Sequence, residues 1–208
     1  MANYIITIAR QYGSSGRKVG RALAERLGYE FLDKEIISHI AETYDVDKSL
    51  LEKYDEQSPS KFAGMFSPSI TLTNAYIPMY NNIMFNDEVM RLQAKALREK
   101  ADANPIVVVG RCADYIFRHE EKLLKIFIYA DDEVRLERIV NEYHVPESEA
   151  KSVMKKADKN RANYYSTYAD GKWGDPKQYD ICINTSKLTI DEAVDIILKY
   201  KEAVDAKR

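Results

Sequence analysis

Cysteine, histidine and long apolar runs are scarce in this chain of 208 residues. Two cysteines make no disulfide framework, and Cys112 and Cys182 lack the CxxC spacing of a zinc ribbon. The three histidines, His39, His119 and His144, are scattered and suggest no metal site. No apolar run approaches the ~18–20 residues that cross a bilayer, so no membrane partner is expected. Charge of one sign is also missing: 31 Lys and Arg face 33 Asp and Glu, for a formal net charge of -2. A sequence-independent grip on DNA or RNA needs excess positive charge on a face, so no nucleic-acid polymer is expected either. Residues 1–9 lack a basic n-region and lead straight into a glycine turn; they read as a first strand and not as a signal peptide. The expected setting is a soluble cytoplasmic protein.

What is present is a chain with 45% hydrophobic residues, enough for one sizeable core. Residues 4–9 are a short β-branched apolar run. Val19, Ala22, Leu23 and Leu27 follow at helical spacing, and Gly28 fits a helix stop. Residues 30–33 are briefly extended. Ile36, Ile37, Ile40, Ala41 and Tyr44 mark a helix, and Val46, Leu50, Leu51 and Tyr54 a short one after it. Pro59, Pro68 and Pro78 break the pattern from about residue 55 to 82 and predict an irregular, mobile segment. Helix is expected again over about 82–101. The run Ile106, Val107, Val108, Val109 is continuously apolar, as a parallel strand covered on both faces should be. Further strands are expected at 125–130 and 179–184, and helices at 134–143, 147–168 and from Thr189, where Thr189 and Glu192 form a capping-box pattern. Strand and helix alternate through most of the chain, which predicts an α/β fold: a parallel sheet flanked by helices.

The sharpest chemical signal lies between the first strand and the first helix. Gly13, Ser14, Ser15 and Gly16 can point backbone N–H groups inward, and the helix N-terminus adds roughly half a positive charge. Arg17 and Lys18 stand at the edge of this anion cradle. A phosphate-binding loop sits at this place, but the spelling departs from G-x-x-x-x-G-K-[ST]. With Gly16 as the second glycine, Gln11 replaces the first, Arg17 the Lys and Lys18 the Ser or Thr. One residue earlier, Gly16 itself falls on the Lys. The hydroxyl that would meet Mg²⁺ is displaced in both registers, leaving Ser14 or Ser15 to substitute. A plain strand-turn-helix connection with surface cations explains the same residues.

The run Ile8-Ala9-Arg10-Gln11-Tyr12-Gly13-Ser14-Ser15-Gly16-Arg17-Lys18-Val19-Gly20 resembles the opening of the bacterial cytidylate kinase-like family, a divergent branch of the P-loop nucleoside monophosphate kinases. Four more segments match in order: Phe31-Leu32-Asp33-Lys34-Glu35; Val109-Gly110-Arg111-Cys112-Ala113-Asp114; Asp158-Lys159-Asn160-Arg161-Ala162-Asn163-Tyr164-Tyr165; and Trp173-Gly174-Asp175 with Tyr179-Asp180 and Asn184-Thr185-Ser186.

The resemblance implies a single domain with a P-loop core over 1–33 and 104–208. It also implies a helical acceptor-binding insert over 34–103 and a lid at about 147–175. The implied activity is ATP-dependent phosphoryl transfer to a nucleoside monophosphate, CMP or dCMP first, with Mg²⁺. Gly13, Ser14, Ser15, Gly16, Arg17 and Lys18 would bind ATP. Arg111 would hold the acceptor phosphate, although an ion pair with a carboxylate such as Asp114 is equally ordinary. Asp33 would face the phosphates or the metal, with Ser14 and Ser15 as further metal oxygens; helix capping also explains Asp33. Lys156 and Arg161 would be the lid cations, although charged helices are usually only solvated and Arg161 can pair with Asp158. Trp173 reads as a loop anchor. Two other readings stay open: a catalytically degenerate nucleotide-binding regulatory module, and a P-loop kinase for another small acceptor. The partners expected are nucleotides, with homo-oligomerisation left open.

Overall fold

The computed structural model describes residues 3–33, 35–44 and 76–207. Five strands, β1 (Ile5–Arg10), β2 (Glu30–Leu32), β3 (Ile106–Val109), β4 (Leu123–Tyr129) and β5 (Ile181–Asn184), form one sheet in the order β2-β3-β1-β4-β5. Every pairing is parallel, with Ile8 opposite Val109 on one side and Ile126 on the other. The helices are α1 (Gly16–Leu27), α2 (Glu35–Tyr44), α3 (Tyr76–Ala103), α4 (Ala113–Ile116), α5 (Asp132–Asn141), α6 (Glu147–Tyr168) and α7 (Ile190–Asp205).

Strand alternation divides the core between two faces. Ile6, Ile8, Val107, Val109, Ile126 and Ile128 point to the side covered by Val19 and Leu23 of α1 and by Val194 and Ile197 of α7. Ile5, Ile106 and Val108 point to the other side, against Ile36 and Ile40 of α2, Leu97 of α3 and Ile116 of α4. A fully buried Val or Ile contributes about 1.5–3 kcal/mol, so this double cover carries the fold. The central strands are apolar on both faces for that reason. Thr189 and Glu192 form the expected capping box at the start of α7.

Several boundaries differ from the sequence expectation: β4 begins at Leu123, β5 at Ile181 and α5 at Asp132, each about two residues from its expected start, and the short helix α4 was not expected. The largest shift is at α3. Helix α3 begins at Tyr76, ahead of the expected start near residue 82, and runs through Pro78. The first four amide groups of a helix have no intrahelical acceptor, so a proline this early removes no hydrogen bond. The short helix expected around Val46 to Tyr54 and the irregular segment up to residue 75 lie outside the described residues.

The strand order decides where a ligand can sit. From β1 the chain crosses to β2 at one edge, returns to β3, then passes over β1 to β4. The crevice at the C-terminal ends of β1 and β3 is therefore a switch point, the usual binding place in open α/β sheets. No helix among the described residues is long and apolar enough to cross a membrane.

Candidate functional site

Two adjoining cavities open at that switch point. The larger, of 240 Å³, is walled by residues 10–13, by Ser15, Gly16 and Arg17, and by Asp33, Tyr143 and Arg161. Its floor is the loop between β1 and α1. Gly13 and Ser15 both have left-handed backbone, φ 78° and 61°. Left-handed residues in a tight loop can turn N–H groups inward, as anion nests do; in this loop the Ser14 N–H donates to the Gln11 carbonyl at 3.4 Å. The Ser15 side chain does not cap α1, and Gly16 and Arg17 of its first turn line the cavity.

The loop is held from below. Gln11 N–H donates to the Ile128 carbonyl at 3.0 Å. The Thr185 hydroxyl donates to the Ser14 carbonyl at 2.8 Å and is itself met by Arg138 Nη1 at 3.1 Å. Tyr12 has both backbone groups engaged: its N–H donates to Asp158 Oδ1 at 2.7 Å, and its carbonyl accepts from Arg135 Nε at 2.8 Å. Arg135 is buried, 3% exposed, and also donates to Asp132 at 3.0 Å and forms an ion pair with Asp158.

The second cavity lies deeper, between the ends of β1 and β3 and helix α6. It is small, at 20 Å³. Thr7, Arg10, Arg111, Asp114, Arg161 and Tyr165 line it, with Trp173 on one wall. Gly110, Arg111 and Cys112 are three consecutive residues with positive φ, 79°, 65° and 50°. This turn carries the buried Arg111 side chain to the cavity. Left-handed backbone at two non-glycine residues costs on the order of 1–3 kcal/mol each, a burden concentrated at functional sites. The Tyr165 hydroxyl donates to Asp114 Oδ2 at 2.7 Å. Burial raises the Asp114 carboxyl above its ordinary range, against the lowering effect of that hydrogen bond. Burial likewise raises the Tyr165 phenol, and the neighbouring Asp114 raises it further.

The structure brings Gly13, Ser15, Gly16, Arg17, Asp33 and Arg161 together around the larger cavity and places Arg111 in the deeper one. Arg17 Nε is paired with Asp33, whose carboxylate is buried. Ser14 is fully buried and donates its hydroxyl to the Gln11 carbonyl at 2.8 Å. Lys18 is half-exposed and pairs with Glu142 at 2.8 Å, and Lys156 is exposed on α6; neither lines these two cavities. Arg161 both approaches Asp158, at 3.6 Å, and lines the two cavities. Trp173 anchors its loop edge-on against Phe127, 5.4 Å between ring centres, and also faces the deeper cavity. Sequence reading assigned no role to Arg10, Thr7, Arg135 or Tyr143, and took Asp158 only as a pairing partner for Arg161. Of the first four, Arg10 had a local signal, its place at the end of the first strand.

A parallel sheet in this order, with a glycine-serine loop between β1 and α1, is the fold of the P-loop kinases. The model of the cytidylate kinase-like family matches residues 5–187, and the chain belongs to that family. An uncharacterized protein from Eubacterium ventriosum ATCC 27560 is 28% identical, with a TM-score of 0.69, over 96% of this chain and 99% of that one. Shikimate kinase from Bacteroides thetaiotaomicron is 15% identical, with a TM-score of 0.53, over 96% and 98% of the two chains. A gluconokinase from Sinorhizobium meliloti 1021 is 16% identical, with a TM-score of 0.50, over 98% and 93%. The last two likenesses are of fold. No curated protein matches the chain.

Proposed function

We propose that this protein transfers the γ-phosphoryl group of ATP to the phosphate of a nucleoside monophosphate, with CMP or dCMP as the leading acceptors. One observation carries the reading: Arg10 and Arg161 line both cavities, and Arg111 joins them in the deeper one. Three arginines lining two adjoining cavities suit the meeting of two phosphate-bearing molecules. An alcohol acceptor needs a base to take its proton, whereas a phosphate acceptor is already an anionic nucleophile and needs its charge offset. The wealth of arginines over free carboxylates favours the phosphate.

In this reading the loop amides and Arg17 hold the ATP phosphates, and Lys18 supports the charge from outside. Arg111 fixes the acceptor phosphate. An acceptor oxygen attacks the γ-phosphorus in line, the bond from that phosphorus to the β-bridging oxygen breaks, and ADP leaves with the bridging oxygen. Arg10 and Arg161 balance the charge that spreads over the transferred group. The deeper cavity is too small for a nucleotide, so in this reading the acceptor enters as α6 opens, which suits a lid, and Lys156 would approach the phosphates as α6 closes. Among the described residues no group of three or more His, Cys, Asp and Glu gathers to hold a metal. Mg²⁺ keeps several waters and takes most other ligands from phosphates; Ser15 and Asp33 are the oxygen-bearing residues lining the cavity that would meet it. When bound, the ion supplies charge neutralisation on the phosphates.

Two observations favour a second reading, nucleotide binding without turnover. Arg17 is tied to Asp33, and the Ser14 hydroxyl is used inside the loop. A coupled ADP-release assay across CMP, dCMP, UMP, AMP, GMP, shikimate and gluconate, beside calorimetric ATP binding, separates the two. Turnover with a nucleoside monophosphate is expected. ATP binding with no turnover on any acceptor supports the second reading, and turnover confined to an alcohol refutes the argument from the arginines.

A further inference from the structure

We propose that Asp158 and Arg135 are positioning residues that join the phosphate-binding loop to helix α6, so that the state of one is transmitted to the other. The inference rests on the reading of the loop as the ATP-phosphate site. Its basis is the treatment of Tyr12. Both polar backbone groups of this loop residue are held by side chains, its N–H by Asp158 of α6 at 2.7 Å and its carbonyl by Arg135 of α5 at 2.8 Å. The two side chains are in turn an ion pair, which closes a ring of three contacts across loop, α5 and α6. Arg135 is 3% exposed and Asp158 18%, so solvent screens the ring weakly.

Loop amides of this kind serve anions, and here a carboxylate has taken one of them. Asp158 does not line the 240 Å³ cavity, so it holds Tyr12 from outside and leaves the cavity to a ligand. The same helix carries Arg161 one turn further on, where its guanidinium lies 5.5 Å from the centre of the Tyr12 ring and Nη1 donates to the Arg10 carbonyl at 3.4 Å. A shift of α6 therefore moves Tyr12 and Arg161 together. The seat on the α5 side is equally close: a Cβ on Gly13 would stand 2.8 Å from the Arg135 carbonyl oxygen. Loop and helix share these contacts at Tyr12, and coupling of two elements by shared contacts is reciprocal.

Hydrogen exchange read by mass spectrometry on the full chain tests this. In the ligand-free protein, Asp158→Asn is expected to speed exchange in residues 10–16 by about tenfold or more, and Gly13→Ala to do the same in residues 154–163. Residues 190–205 serve as the reference and stay unchanged, a pattern that general destabilisation does not produce. With Mg²⁺ and a non-hydrolysable ATP analogue, the wild-type chain is expected to slow exchange in both 10–16 and 154–163, and Asp158→Asn in 10–16 alone. Should Asp158→Asn fail to fold, Arg135→Lys keeps the charge, cannot reach all three acceptors, and carries the same expectations. Either variant leaving the other element's exchange at wild-type rates overturns the coupling. Reciprocal loosening without any response to the analogue upholds the coupling and refutes the ATP reading instead.

Discussion

Replacing Gly13 by alanine tests how the loop is built, and Gly28 supplies the control. Both glycines have left-handed backbone, φ 78° and 68°. An alanine there costs roughly 1–2 kcal/mol, because Cβ crowds the following carbonyl. Their surroundings differ. A Cβ at Gly28 has nothing within 4 Å, whereas one at Gly13 would meet the Arg135 carbonyl oxygen at 2.8 Å and Ile139 side-chain carbons at 3.1 Å. The carbonyl belongs to α5 and cannot swing aside, so the loop must lift. Overpacking of this kind adds about 1–3 kcal/mol. Gly28→Ala is therefore expected to lose about 1–2 kcal/mol in urea unfolding, and Gly13→Ala about 2–5 kcal/mol. Calorimetry should show ATP affinity kept in Gly28→Ala and reduced at least tenfold in Gly13→Ala. Equal stability losses in the two variants, or wild-type ATP affinity in Gly13→Ala, would refute the account of the loop.

Other expectations follow from single contacts. Thr185→Val removes the donor to the Ser14 carbonyl and the acceptor for Arg138, and should lower stability by about 1–3 kcal/mol while weakening ATP binding; unchanged unfolding midpoints would sink it. Arg111→Lys loses bidentate contact with an acceptor phosphate, and kcat/KM for the acceptor should fall roughly 10- to 150-fold, from about 1.5–3 kcal/mol, with the KM for ATP nearly constant. A matching rise in both KM values would place Arg111 elsewhere. Asp114 has a raised carboxyl pKa in the fold, chiefly from burial. Its contribution to stability is present in full below its unfolded pKa of about 3.9 and is lost as pH rises through the folded value. Asp114→Asn stays neutral throughout and can still accept from Tyr165. Its Tm should match the wild type near pH 4 and exceed it at pH 8, and a Tm difference that does not change with pH would contradict the assignment.

The legible parts of this protein are those decided within a few residues. Apolar runs at β1 and β3 announce strands buried on both faces, the spacing of Val19 and Leu23 announces α1, and Thr189 with Glu192 announces the start of α7. Strand and helix in alternation then leave few topologies besides a parallel sheet, and the glycine-serine turn after the first strand marks the loop that floors the larger cavity. The start of α3 escaped because Pro78 reads as a breaker, although the first turn of a helix needs no amide there.

Only the tertiary structure decided which charges line the cavities. Asp158 meets Tyr12 across 146 residues of chain, and Arg135 reaches the same residue across 123. On their own helices both look like ordinary surface charges. Lys156 and Arg161 are five residues apart on one helix, yet Arg161 faces the cavities and Lys156 faces solvent. Ser14 and Ser15 are neighbours, and the loop turns one hydroxyl inward to Gln11 while the other residue lines the cavity. Sequence pattern carries local propensity and periodicity. A side chain's direction and partners depend on elements that meet after the sheet has assembled, and for that reason the location of the site was readable while its wiring was not.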